Sequence, residues 1–210
     1  MAEKTPRRAR RDLSFDKIVT VAFDLLETEP DSALTMRRLA EACRVTPMAL
    51  YNHVEDREAI LTAVVDRAFA EVADFDHTTY DDPSAALADF GVLMRRQLLA
   101  NHGAASTFLR RPVVTPTMTR VTERLFEMVD RLVLVDAEPG EVADAIVLVT
   151  MGSVANDLTR PPEVRRKLLE TDAANEAPLS ADNLESYADR DGEARFCQAI
   201  GWILAGTLAP

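Results

Sequence analysis

The side chains best suited to chemistry lie between Thr35 and Arg57. Arg37, Arg44 and Arg57 are cations that can neutralise phosphates. Tyr51 and His53 can bond phosphate oxygens, and Asn52 can bond a base edge or a phosphate. Thr46 and Met48 carry methyl groups able to touch a thymine methyl, and Thr35 and Pro47 complete the set. These residue types suit non-covalent reading of nucleic acid. Nothing comparable supports catalysis, because no nucleophile–base pair, phosphate loop or metal cluster is visible, so neither an enzyme nor a cofactor is expected. His77 and His102 lack partners at ligand spacing, and "DHTTYDD" reads as a solvated loop. Cys43 and Cys197 have no metal-ligand spacing either, and two free thiols suit a reducing, cytoplasmic setting.

Short helices must position this set. Ser14 is a candidate N-cap before the apolar stripe of Phe15, Ile18, Val19, Ala22 and Leu26. "TEPDSA" breaks that stripe. Thr35 can cap a second helix whose Met36, Leu39, Ala40 and Cys43 share one face. Thr46 followed by Pro47 reads as an N-cap with proline at the first helical position. Leu39, Ala40, Val45 and Leu50 can pack these two helices at a steep angle. The result is a helix-turn-helix, in which the second helix enters the DNA major groove and the first crosses the backbone. Asp56 can cap a fourth helix with Ile60, Leu61, Val64, Val65, Ala68, Phe69 and Val72 as its stripe.

Charge separates this end from the rest. The 210 residues carry a net charge of −11. Residues 1–57 hold ten Lys/Arg and ten Asp/Glu, so all of the excess acid lies beyond Arg57. A basic end on an acidic body fits an anionic partner for that end, or a solubilising tail. No apolar run approaches ~18 residues, so no membrane span is expected. The basic N-terminus lacks the apolar segment of a secretory signal.

The stretch Thr35, Arg37, Leu39, Ala40, Val45, Thr46, Leu50, Tyr51, His53, Val54, Arg57 and Leu61 resembles the head of the TetR family of one-component repressors over about residues 12–66. Two departures stand out. Arg44 replaces the turn glycine, which leaves two alternatives: a left-handed backbone on a residue with a side chain, at a cost of about 1–2 kcal/mol, or a turn of another shape that suits arginine. Arg57 replaces a lysine and keeps the cation. "LLANHGAASTFLRRP" and "RFCQAIGWILAGTLA" resemble the tetracycline-responsive members in layout. Thr107 and Arg110 stand where those hold a magnesium–tetracycline complex, so neither that drug nor its metal is carried over.

Helical periodicity continues through 83–101, 104–110, 117–135, 142–158 and 193–208, with no strand pattern. The 142–158 stretch is apolar enough to read as a buried helix. The acidic 170–193 stretch reads as linker. The expected fold is all-α: a helix-turn-helix head over 1–55, a connecting helix over about 56–74, and a helical ligand-binding and dimerisation body over 75–210. A pocket between body helices would draw on Met94, Gln97, Leu98, His102, Phe108, Met118, Thr119, Phe126, Met151 and Asn156. The resemblance implies a homodimer built from the last two long helices. It also implies double-stranded operator DNA and a small-molecule effector as partners, with no membrane. The alternative from another class is a helical carrier or small-molecule-binding protein whose head no longer reads DNA.

Overall fold

The computed structural model describes residues 13–111, 113–169 and 190–208. Their helices run in the order α1 (Phe15–Leu26), α2 (Met36–Ala42), α3 (Pro47–Leu50), α4 (Arg57–Ala68), α5 (Ala70–Ala73), α6 (Pro83–Ala100), α7 (His102–Arg110), α8 (Pro116–Val129), α9 (Pro139–Thr159), α10 (Pro162–Leu169) and α11 (Gly192–Thr207). No strand forms among the described residues; Leu134 and Leu208 make one isolated bridge. The fold is all-α. Most of the 170–193 stretch read as linker lies outside the described residues.

The helix starts follow from side-chain caps. Ser14 Oγ accepts from the Lys17 amide at 3.3 Å, Thr35 Oγ1 from Arg38 at 3.1 Å, Thr46 Oγ1 from Ala49 at 3.3 Å and Asp56 Oδ1 from Ala59 at 2.7 Å. Each satisfies a first-turn N–H that the helix leaves without an internal partner. Two helices differ from the sequence reading. α8 ends at Val129 instead of running to about 135, because the following segment lies along the end of α11: the Val135 amide donates to the Thr207 carbonyl at 2.9 Å. α9 is not buried all round. Val142, Ala143, Ile146, Thr150 and Val154 are buried, while Leu148 is 62% exposed.

The chain divides into two compact units: residues 1–73 with 100–120, and residues 74–99 with 121–210. α7 therefore counts with the N-terminal helices, whereas the sequence reading placed 100–120 in the body. The reason is the contacts that α7 makes with α1 and the loop after it. The amides of His102 and Gly103 donate to the Glu27 carboxylate at 3.3 and 3.2 Å, so the end of α1 caps the start of α7. Gly103 lies so close to Leu26 that a Cβ would collide with Leu26's Cβ and carbonyl. Arg110 pairs with Asp31 at 2.9 Å. The core of this unit gathers Ile18, Ala22, Leu39, Leu50, Ile60, Leu61, Val64 and Ala104, each at most 1% exposed. Fully burying one such aliphatic side chain is worth about 1.5–3 kcal/mol.

In the second unit, α9 packs on α11. A buried ionic network closes that pairing. Asp157 accepts from Arg95, from Arg195 at 2.9 Å and from Arg165 at 3.2 Å, and Arg95 also donates to Ser153 at 2.9 Å. Arg95 and Arg165 side chains are only 5% and 3% exposed. Gly192 permits this approach, since a Cβ there would strike Asp157 and Arg95. By length and composition alone, α9 is apolar enough to cross a membrane, a feature that a search for unbroken apolar runs passes over because Asp144 and Asp157 interrupt it. Here one face of the helix packs on α11 and Asp157 is bound inside the unit.

Candidate nucleic-acid interface

α2 and α3 meet through Leu39, Ala40, Leu50 and partly buried Val45, all in one cluster. The turn between them follows a specific hydrogen-bond scheme. Val45 N–H donates to the Ala40 carbonyl at 3.0 Å and Arg44 N–H to the Glu41 carbonyl at 3.1 Å. This is a Schellman closure, which requires a left-handed residue after the cap. Arg44 fills that place with φ 56°. The turn keeps the shape that glycine would ease, and Arg44 bears a cost of about 1 kcal/mol for it.

Anchored on buried Ala49 and Leu50, α3 turns the rest of its side chains outward. Thr46, Pro47, Met48, Tyr51, Asn52 and His53 are all exposed, Met48 at 73% and Tyr51 at 51%. Among the described residues, the side-chain polar groups of Tyr51, Asn52 and His53 take no internal hydrogen bond. Such groups stand ready for an outside partner. Thr46 differs, because its hydroxyl is engaged as the cap of α3.

The cations divide. Arg37 is 86% exposed and holds only a surface pair with Glu41 at 3.1 Å. Arg44 is exposed and has no carboxylate partner among the described residues. Arg57 departs from the phosphate-contact expectation. Its Nε donates to the Leu34 carbonyl at 2.7 Å, and its guanidinium also reaches the Asp31 carbonyl and Glu58. It ties α4 to the loop before α2 and has little left for a phosphate. Thr35 is exposed but caps α2 through its hydroxyl. Burial pushes the Cys43 thiol up, which disfavours the nucleophilic thiolate.

The expected pocket residues are not gathered in one cavity within either unit. In the first unit, Phe108 packs at a tilt against Phe69 with centroids 4.8 Å apart, so it is core packing. Thr119 is exposed and its hydroxyl donates to the Thr115 carbonyl at 3.1 Å. Met118 is half-buried, and His102 borders a polar cleft beside Glu27 and Asp31. In the second unit, Met94 and Leu98 are buried, Gln97 and Met151 are half-buried, and Phe126 is 38% exposed. Asn156 lines a groove of about 290 Å³ with Ser153, Arg195 and Phe196. The polar Ser153, Asn156 and Asp157 at the end of the apolar α9 sequence already call for partners; what sequence reasoning missed is that Arg95 and Arg195 supply them beside that groove, the available signal being Arg95, which interrupts the apolar run of α6. The "DHTTYDD" loop also proves less solvated than read. His77 is buried and bonded to Glu127 at 2.8 Å. Arg124 and His77 together hold the Glu127 carboxyl below its ordinary range.

No family model matches the chain. An HTH-type transcriptional regulator of Saccharopolyspora erythraea is 28% identical over 211 residues, covering 96% of this chain and 87% of that protein. The crystal structure of a possible TetR family transcriptional regulator from Streptomyces coelicolor superposes with a TM-score of 0.81 at 26% identity, over 92% of this chain and 98% of that one. Apo ActR of the same organism matches in fold, with a TM-score of 0.76 at 23% identity, over 92% and 94% of the two chains. With the helix-turn-helix geometry, these likenesses show that the chain has the all-helical fold of TetR family transcriptional regulators, is similar to them over nearly its whole length, and carries the helix-turn-helix head of a DNA-binding regulator.

Proposed function

We propose that the protein acts as a homodimeric repressor, released from a pseudo-palindromic operator by a small molecule. The observation that carries this reading is the exposed row from Thr46 to His53, whose Tyr51, Asn52 and His53 are uncommitted inside the protein. Met48 and the Thr46 methyl face thymine methyls, Asn52 reads a base edge, and Tyr51, His53 and Arg37 hold phosphates. A twofold pair of heads matches half-sites spaced by whole helical turns.

Dimerisation is supported by bare apolar surface on the two long helices. Leu148 on α9 is 62% exposed and Trp202 on α11 is 67% exposed. Gly152, Gly201 and Gly206 have open space where a Cβ would stand, which allows a second pair of helices to approach closely. Effector control is supported by the likeness to ActR, which has been solved with actinorhodin and with (S)-DNPA bound. An effector that favours one spacing of the heads weakens DNA binding, and DNA weakens effector binding by the same factor.

The test is in vitro selection of duplex DNA on the full-length protein, followed by fluorescence anisotropy with the enriched duplex. Enrichment of a pseudo-palindrome bound by a dimer is the expected outcome. Enrichment of no sequence would remove the DNA reading and leave a helical small-molecule-binding protein.

A further inference from the structure

A groove of about 360 Å³ crosses the head beside the helix-turn-helix turn. Leu13, Val21, Ala42 and Cys43 contribute to its floor, and Lys17 and Arg44 stand at it from different elements. Among the described residues, no carboxylate lines it. Lys17 and Arg44 are both exposed, and neither side chain has a hydrogen-bond or ion-pair partner among the described residues. That separates them from the other described cations around the helix-turn-helix. Arg37 is paired with Glu41, Arg38 with Glu29, Arg57 with two carbonyls and Glu58, and Arg67 with the Thr20 hydroxyl.

We propose that Lys17 and Arg44 form a second phosphate-binding site, which grips the DNA backbone next to the segment read by α3. The inference rests on the DNA reading above and extends it to residues outside the recognition helix. Three observations support it. The site is cationic without internal neutralisation, so a phosphate is its natural counter-charge. Arg44 directly precedes Val45 and Thr46, so it moves with the leading end of α3. Arg44 also occupies a left-handed position that glycine fills without strain. A strained side chain at such a place is explained by a contact that the folded protein alone does not show. Arg44 therefore trades fold stability for a phosphate contact.

The experiment uses the full-length protein and the duplex enriched on the wild type. Anisotropy across a salt series is measured for wild type, Arg44→Gly, Arg44→Lys, Lys17→Gln and Tyr51→Ala, alongside thermal melting. Each lost phosphate contact flattens the slope of log K against log[salt] by about 0.9, so about 1.8 for two copies in a dimer. Arg44→Gly is expected to lower affinity about tenfold or more, flatten the slope by about that amount, and raise Tm by about 2–4 °C. Lys17→Gln should flatten the slope without raising Tm, and Arg44→Lys should keep most of it. If the duplex binds wild type and loses Tyr51→Ala, yet Arg44→Gly and Lys17→Gln keep the full slope, the second site is wrong and the recognition helix stands. If no duplex is enriched, both readings fail together.

Discussion

Arginine does opposite work in the two units. In the head, Arg37 and Arg44 face solvent, and Arg37's one pair is mostly exposed. In the second unit, Arg95 and Arg165 are buried, and with Arg195 they converge on Asp157. An exposed pair contributes about 0–1 kcal/mol, because water screens it and two long side chains must be ordered. A buried cation that loses its partner costs several kcal/mol. Arg37 and Arg44 are thus available for a partner, while Arg95, Arg165 and Arg195 are structural. Net charge points the same way, since all of the excess acid lies beyond Arg57.

The sharpest way to break this contrast is Asp157→Ala. It strands Arg95 and Arg165 in a site with little water, and a loss of about 3–5 kcal/mol in unfolding free energy is expected by denaturant titration. A loss under about 1 kcal/mol would show that the body's arginines are as loosely held as those of the head. On the head, Tyr51→Ala combined with His53→Ala removes two candidate phosphate hydrogen bonds from each protomer. Contacts to a charged group are worth about 1.5–3 kcal/mol each, so operator affinity should fall at least 100-fold. The dimer, followed by sedimentation, and the Tm should be unchanged. Retained affinity would remove these two residues from the interface.

Glycine offers a second contrast. Gly103 lies against Leu26's backbone carbonyl and Cβ, whereas Gly192 faces the ends of the Asp157 and Arg95 side chains. Backbone does not yield, so Gly103→Ala must push α7 off α1 and weaken the Glu27 cap. A loss of about 1–3 kcal/mol is expected. Hydrogen exchange should show faster loss of protection at His102 and Gly103 than elsewhere in the unit. Uniform loss across the unit would mean that α7 is not separately strapped to α1.

The head was legible because its determinants are local. Ser14, Thr35, Thr46 and Asp56 each cap an amide three residues ahead, a spacing visible in any sequence. Motif spacing over a few residues puts Arg44 at the turn, and the structure decides between its two alternatives in favour of the left-handed backbone. What escaped was non-local. Nothing near Arg95 announces Asp157, 62 residues away, and nothing near Gly103 announces Leu26. The fate of Arg57 was hidden for the same reason, since its carbonyl partners lie on the loop before α2. The candidate pocket suffered most, because lining a cavity depends on which of several apolar faces meet. Phe108 went to Phe69 and the core.

The smallest expected effect tests where the head resembles the body. Arg38 grips Glu29 with both oxygens, at 3.1 and 3.2 Å from Nε, with Nη2 at 2.5 Å. Unlike Asp157's partners, Arg38 is 38% exposed. Its hydrogen bonds hold the Glu29 carboxyl below the ordinary carboxylate range. A carboxyl lowered in the folded state stabilises above its unfolded value of about 4.3, and that stabilisation fades as pH falls through the folded value. Arg38→Gln should therefore melt slightly below wild type at pH 7, with the gap closing in acid once Glu29 is protonated. In the variant, the Glu29 titration followed by NMR should move back up toward that ordinary value. A gap of equal size at pH 7 and pH 3 would mean that Arg38 acts through the packing of its aliphatic stem and that the pair itself contributes nothing.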